Sequence, residues 1–114
     1  MIIVVQVDGV LECGSPPGPV KLSSLVNICL GGGMVLLIEK HGEVWSRTDL
    51  GGHLIPAYTL GENVGEKLKL IRENFPGRSR YIFIGRPEFK ETAEKYGFEY
   101  VSPDKAVEFF ITLS

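Results

Sequence analysis

The residue best suited to proton chemistry in this 114-residue chain is Asp8, in the run Gln6-Val7-Asp8-Gly9. It follows the apolar segment Met1–Val5 and so stands at the end of a predicted strand. A carboxylate there has two readings: a general acid/base, or an Asx-type turn residue that bonds its own backbone and needs no partner. The turn reading asks for less. Other combinations are poorer. His41 and His53, with Cys13 and Cys29, match no zinc-ligand spacing, so they read as surface or structural residues. Gly61-Glu62-Asn63-Val64-Gly65-Glu66-Lys67 imitates a phosphate loop. However, Glu66 stands where the second glycine is required and Leu68 where the hydroxyl is required. No Ser/His/Asp set can be assembled.

The elements that must position Asp8 are legible in the hydrophobic pattern. Met1–Val7 is β-branched and apolar on both faces, as in a central strand of a parallel sheet. Gly14–Pro19 is a Pro/Gly loop. A helix is expected from Pro19 to Leu30, with Leu22, Leu25, Val26, Cys29 and Leu30 as its apolar stripe and Gly31-Gly32-Gly33 as its stop. Met34–Glu39 is a second strand. His41-Gly42 suits a tight turn, so a β-hairpin is expected near residues 34–47. Residues 48–61 are glycine-rich and give no firm assignment, beyond a short strand within Leu54–Leu60. Glu62–Phe75 reads as a helix burying Val64, Leu68, Ile71 and Phe75. Tyr81–Gly85 is a third core strand, and Pro87–Tyr96 a short helix with Phe89, Ala93 and Tyr96 inward. Phe98–Val101 is a fourth strand. Ser102 is expected to N-cap a last helix reaching about Thr112. Strands alternating with helices predict a single three-layer, Rossmann-like α/β domain with a mostly parallel sheet. In such sheets ligands bind at the C-terminal strand ends. Here those ends are Val7-Asp8-Gly9, Glu39-Lys40, Gly85-Arg86-Pro87 and Ser102.

Composition restricts the function classes. The net charge is −2 and the pI about 5.7, without the basic excess of nucleic-acid binders. Two cysteines are too few for a disulfide framework and read as reduced thiols of a cytoplasmic protein. Neither a signal peptide nor a membrane-spanning run is recognisable. Trp45, Tyr58, Phe109 and Phe110 fit either a partner surface or the core, and the core is the commoner place for them.

The strand-end residues also carry a family resemblance. Asp8-Gly9-Val10-Leu11, followed by Gly14-Ser15-Pro16-Pro17-Gly18-Pro19-Val20, resembles the first motif and Pro/Gly segment of the haloacid dehalogenase (HAD)-like superfamily. Met34–Glu39 falls at that family's second-motif strand. Glu66-Lys67-Leu68 through Arg80–Gly85 is similar to its lysine-bearing helix and fourth-motif strand. The resemblance implies a carboxylate nucleophile, an acid/base two residues later, a Ser/Thr and a Lys holding phosphate, and acids holding Mg²⁺. This chain departs from that set. Gln6 takes the nucleophile position, Glu39 the Ser/Thr position and Arg86 the metal-binding acid position. Only Asp8 and a lysine, Lys67 or Lys69, remain. The length leaves no room for a cap domain. On this alignment Gln6 and Arg86 face each other across adjacent strand ends. They could bind an anion without metal, unless Arg86 is merely ion-paired with Glu39 or Glu88.

The C-terminal third, Tyr81–Phe89 with Ala93–Gly97 and Ser102-Pro103, is also similar to the closing part of PIN-type nucleases. That family requires acids at Val7 and Arg86. The expected function is therefore a non-catalytic HAD-like binding or regulatory module. It would need no cofactor, and its partner is unknown: another protein or a second copy. The alternatives are a weak Mg²⁺-dependent phosphohydrolase using Asp8 and Lys67, and a degenerate PIN-like nuclease domain.

Overall fold

The computed structural model describes residues 1–12, 14–38, 49–50, 53–54 and 60–113, the two short segments at 49–54 by their backbone. Its elements are β1 (Ile2–Gln6), α1 (Leu22–Leu30), β2 (Met34–Ile38), β3 (Asp49–Leu50), β4 (His53–Leu54), α2 (Val64–Asn74), β5 (Tyr81–Ile84), α3 (Lys90–Lys95), β6 (Glu99–Val101) and α4 (Ala106–Leu113). Short 3₁₀ turns, Pro87–Phe89 and Pro103–Lys105, lead into α3 and α4.

Four strands form an all-parallel sheet in the order β2-β1-β5-β6. β1 is central, as its unbroken apolar run requires: all five of its residues are buried. Alternation along the strands then sorts the core into two halves. Ile3, Val5, Val7, Val35, Leu37, Ile82 and Ile84 pack against α1 and α4. Ile2, Val4, Leu36, Ile38, Tyr81 and Phe83 pack against α2 and α3. The result is a three-layer α/β/α domain, the architecture expected of the alternating pattern.

Several local expectations need correction. α1 begins at Leu22, not Pro19, because the backbone before it is committed elsewhere. Gly18 and Val20 donate N–H to the carbonyls of Leu11 and Val10, and Leu11 and Val20 form a parallel bridge. Leu30 is not part of the buried stripe: it is 64% exposed, and Ile28 packs inward instead. Ser102 occupies the N-cap position of the turn before α4 but makes no side-chain capping bond. Asn63 does cap α2, its Oδ1 accepting from Glu66 N at 2.8 Å. The expected hairpin turn at His41-Gly42 lies outside the described residues. A small antiparallel pair, β3 with β4, occurs in the stretch that the pattern left without a firm assignment. No described helix is long and apolar enough to cross a membrane.

Candidate functional site

The parallel sheet delivers Gln6, Asp8 and Arg86 to the same C-terminal edge, and their surroundings decide what they can do. Gln6 is only 5% exposed. Its side chain crosses the adjacent strand end, where Oε1 accepts the backbone N–H of Arg86 at 2.9 Å. That crossing requires Gly85. A Cβ on residue 85 would overlap the Phe83 ring and come within 3.1 Å of Gln6 Oε1. The carbonyl of the same Gly85–Arg86 peptide accepts the Tyr100 hydroxyl at 2.8 Å. One peptide plane is therefore held from both sides, by a residue of β1 and a residue of β6. Gly85 was placed at a strand end by the sequence without a role of its own, and Tyr100 was not singled out. A small residue next to the polar end of an otherwise apolar strand was the available signal.

Asp8 is half-buried, and its Oδ1 accepts the N–H of Ser15 at 3.1 Å. Gly9 N–H donates to Pro16 O at 2.7 Å. The carboxylate thus pins the Pro/Gly loop to the strand end. The backbone partner observed for Asp8 is Ser15, seven residues along the chain, and not a residue of its own turn as an Asx-type turn would have.

Arg86 lies folded across the Asp8-Gly9 turn, with Gly9 at φ +79° and no room there for a Cβ beside the arginine's methylenes. Its guanidinium carbon is 5.3 Å from the Phe89 ring centroid. Nε is 3.3 Å from Glu88 Oε1, close enough for an ion pair, yet it is buried and lacks hydrogen-bond alignment with any described group. At that distance the two charges offset one another, but without alignment the contact is weaker than a directed hydrogen bond. Of the two partners expected for Arg86, Glu88 is the one observed; Glu39 lies outside the described residues.

Lys67 is half-buried in the first turn of α2. Because α2 leads into the N-terminal end of β5, its first turn lies toward the same edge of the sheet as Asp8. Among the described residues no ion pair or hydrogen bond joins the Lys67 ammonium to Asp8. Lys69 is exposed. Among the described residues no group of three His, Cys, Asp or Glu side chains could hold a metal ion. An amide engaged by the backbone and a guanidinium beside the only strand-end carboxylate described do not fit a Mg²⁺ site. Comparison with protein-family models, with curated proteins and with solved structures finds no match.

Proposed function

We propose that this chain is a non-catalytic, HAD-like α/β domain serving as a binding or regulatory module. The observation that carries the reading is the 2.9 Å bond from Arg86 N–H to Gln6 Oε1. At the position where the resemblance requires a free carboxylate nucleophile stands a neutral amide, and its oxygen is already used by the backbone. Asp8, the one acid retained, holds Ser15. Adjacent strand ends for Gln6 and Arg86 are what the HAD-like alignment implies, and this adjacency supports it. The PIN-like alternative needs an acid at residue 7. Val7 is fully buried against the α1/α4 layer, a place that argues against a site there.

The test is hydrolysis of p-nitrophenyl phosphate by the purified chain with Mg²⁺, beside an Asp8→Asn variant. The expected result is no turnover above the uncatalysed rate for either protein. Mg²⁺-dependent turnover that Asp8→Asn abolishes would establish the phosphohydrolase alternative and overturn the proposal.

A further inference from the structure

β6 lies at one edge of the sheet and pairs with β5 alone. Among the described residues nothing pairs with its outer side. Alternate residues of a strand turn N–H and C=O away from the neighbour they do not pair with, so the outer side of β6 holds unmet donors and acceptors. Such edges are usually guarded by a lysine or proline on the strand itself, or by a bulge. β6, Glu99-Tyr100-Val101, has none of these. Its register with β5 runs unbroken, and its one charge, Glu99, is tied to Arg80. Its short length is the protection that remains.

This edge borders a groove of about 560 Å³. Tyr100 and Val101 form the floor. Lys90, at the start of α3, stands on one wall, and Lys105 and Phe109, before and within α4, stand on the other. The groove follows the strand and does not merely cover its tip. Phe109 lies against Arg80, with its ring centroid 5.6 Å from the guanidinium carbon, and Arg80 pairs with Glu99 at the first residue of β6. The two walls belong to opposite layers, because Tyr100 packs in the α2/α3 half of the core and Val101 in the α1/α4 half. A chain laid along β6 would likewise turn successive side chains to the two walls in alternation. The charged residues lining the groove are two lysines, Lys90 and Lys105, against one acid, Glu108. Both lysines are exposed, and neither is ion-paired to a described residue.

We propose that the β6 edge takes up an extended acidic segment of another protein as an added strand, two consecutive carboxylate residues meeting Lys90 on one wall and Lys105 on the other. Main-chain hydrogen bonds to β6 supply the affinity, and the lysines select the sequence. Two residues from the acid at Lys105, on the same face of the added strand, an apolar side chain meets Phe109. The walls favour a single chain over a second copy. Pairing β6 with β6 would press a second α3 and α4 against the first, whereas one strand at a spacing of about 4.8 Å lies between the walls.

Amide NMR spectra of the full chain, titrated with the blocked octapeptide Thr-Val-Thr-Glu-Glu-Thr-Val-Thr, test this. The expected result is saturable binding below about 1 mM that shifts the amides of Glu99, Tyr100 and Val101. Lys90→Glu and Lys105→Glu should each weaken binding about threefold or more, as should glutamine in place of both peptide glutamates. Both positions are exposed, so circular dichroism should stay that of the parent. Lys21→Glu, beside α1 on the side of the sheet where α1 packs on β2, should leave binding unchanged. Strand addition has a signature that charge attraction lacks: N-methylation of the peptide on alternate interior residues should abolish binding in one set and spare it in the other. The absence of saturable binding in that range, equal effects of the two methylated sets, or indifference to both lysine substitutions overturns the proposal. Shifts of the Glu99–Val101 amides with concentration of the chain alone would assign the edge to a second copy and overturn it equally.

Discussion

Gln6 and Arg86 are eighty residues apart in sequence and share a 2.9 Å hydrogen bond, the side-chain Oε1 of one accepting the backbone N–H of the other. Because Tyr100 donates to the carbonyl of the same peptide at 2.8 Å, the point at which β5 gives way to Arg86 is fixed by two neighbouring strands. Gln6→Leu should leave a buried N–H unsatisfied and cost about 1–3 kcal/mol, and Tyr100→Phe about 1 kcal/mol. The two bonds act on one peptide plane, so the double mutant should depart from additivity by about 0.5 kcal/mol or more. Urea denaturation of the four proteins measures this. Strict additivity would mean that the two side chains act independently.

Gly85→Ala tests the packing that lets Gln6 reach across. The added methyl group meets the Phe83 ring, the largest fully buried side chain of the described core. Relief would require moving either that ring or the strand end, at a cost of about 2 kcal/mol or more. Gly31→Ala is the control. Its Cβ would be 3.5 Å from the nearest atom at an ordinary backbone conformation, so its effect should lie near zero. Thermal melts of the two variants should separate clearly.

The fold was legible in the sequence because burial and periodicity coincide. A strand apolar on both faces has only the centre of a parallel sheet to occupy, and β1 is there. The strand-end placement of Gln6, Asp8 and Arg86 followed from the same pattern. What the pattern missed depends on chain reversals and on distance in sequence. The start of α1 moved because Gly18 and Val20 bond to the Val10–Leu11 segment, a pairing that no helical spacing reveals. Asn63 as a cap was readable from Asn63-x-x-Glu66, a capping signature. The use of Gln6 as a backbone clamp was not, since an amide at a strand end has many possible partners and only the sheet order selects Arg86.

Tyr100 also makes a prediction about alkaline pH. Loss of solvent around its phenol, and next the nearby Asp104 carboxylate, raise its pKa above the ordinary 10.0. The folded state therefore holds the phenolic proton more tightly than the unfolded chain. The associated stability is full below pH 10.0 and is lost as pH rises through the folded-state value. Titration of tyrosinate absorbance near 295 nm should show one residue ionising late, and Tyr100→Phe should remove that component. An unchanged titration curve would contradict the assignment.

Glu99 acts at the opposite end of the pH scale. The hydrogen bonds from Arg80, at 2.8 and 2.9 Å, and secondarily the arginine's charge, hold its carboxyl below the ordinary 4.5. Its contribution is present above pH 4.5 and fades as pH falls through the lowered value. Both side chains are about half exposed, 42% and 52%, so the pair is worth less than about 1 kcal/mol and weakens with salt. Glu99→Gln should flatten the acid limb of the stability–pH curve at low salt. At high salt the two proteins should be indistinguishable.

Arg72 joins three elements through one guanidinium. Its Nη1 donates to Gly97 O at 3.1 Å and to Tyr96 O at 3.4 Å, beyond the last residue of α3. The guanidinium carbon stacks 4.0 Å from the Tyr81 ring centroid on β5. Tyr81 in turn donates its hydroxyl to Phe75 O at 2.7 Å, closing the connection back to α2. A cation among the exposed carbonyls at a helix C-terminus is favourable, and its planar face adds contact with the ring. Arg72→Ala should cost about 1–2 kcal/mol. Arg72→Lys keeps the charge but loses the planar fork, so it should recover less than half of that. Gly97→Ala should imitate the loss, because its Cβ would run into Arg72 Nη1 at a residue with φ +81°. Chemical denaturation of the three variants decides the matter. A lysine that restores full stability would reduce the role of Arg72 to simple charge, without stacking or directed hydrogen bonds.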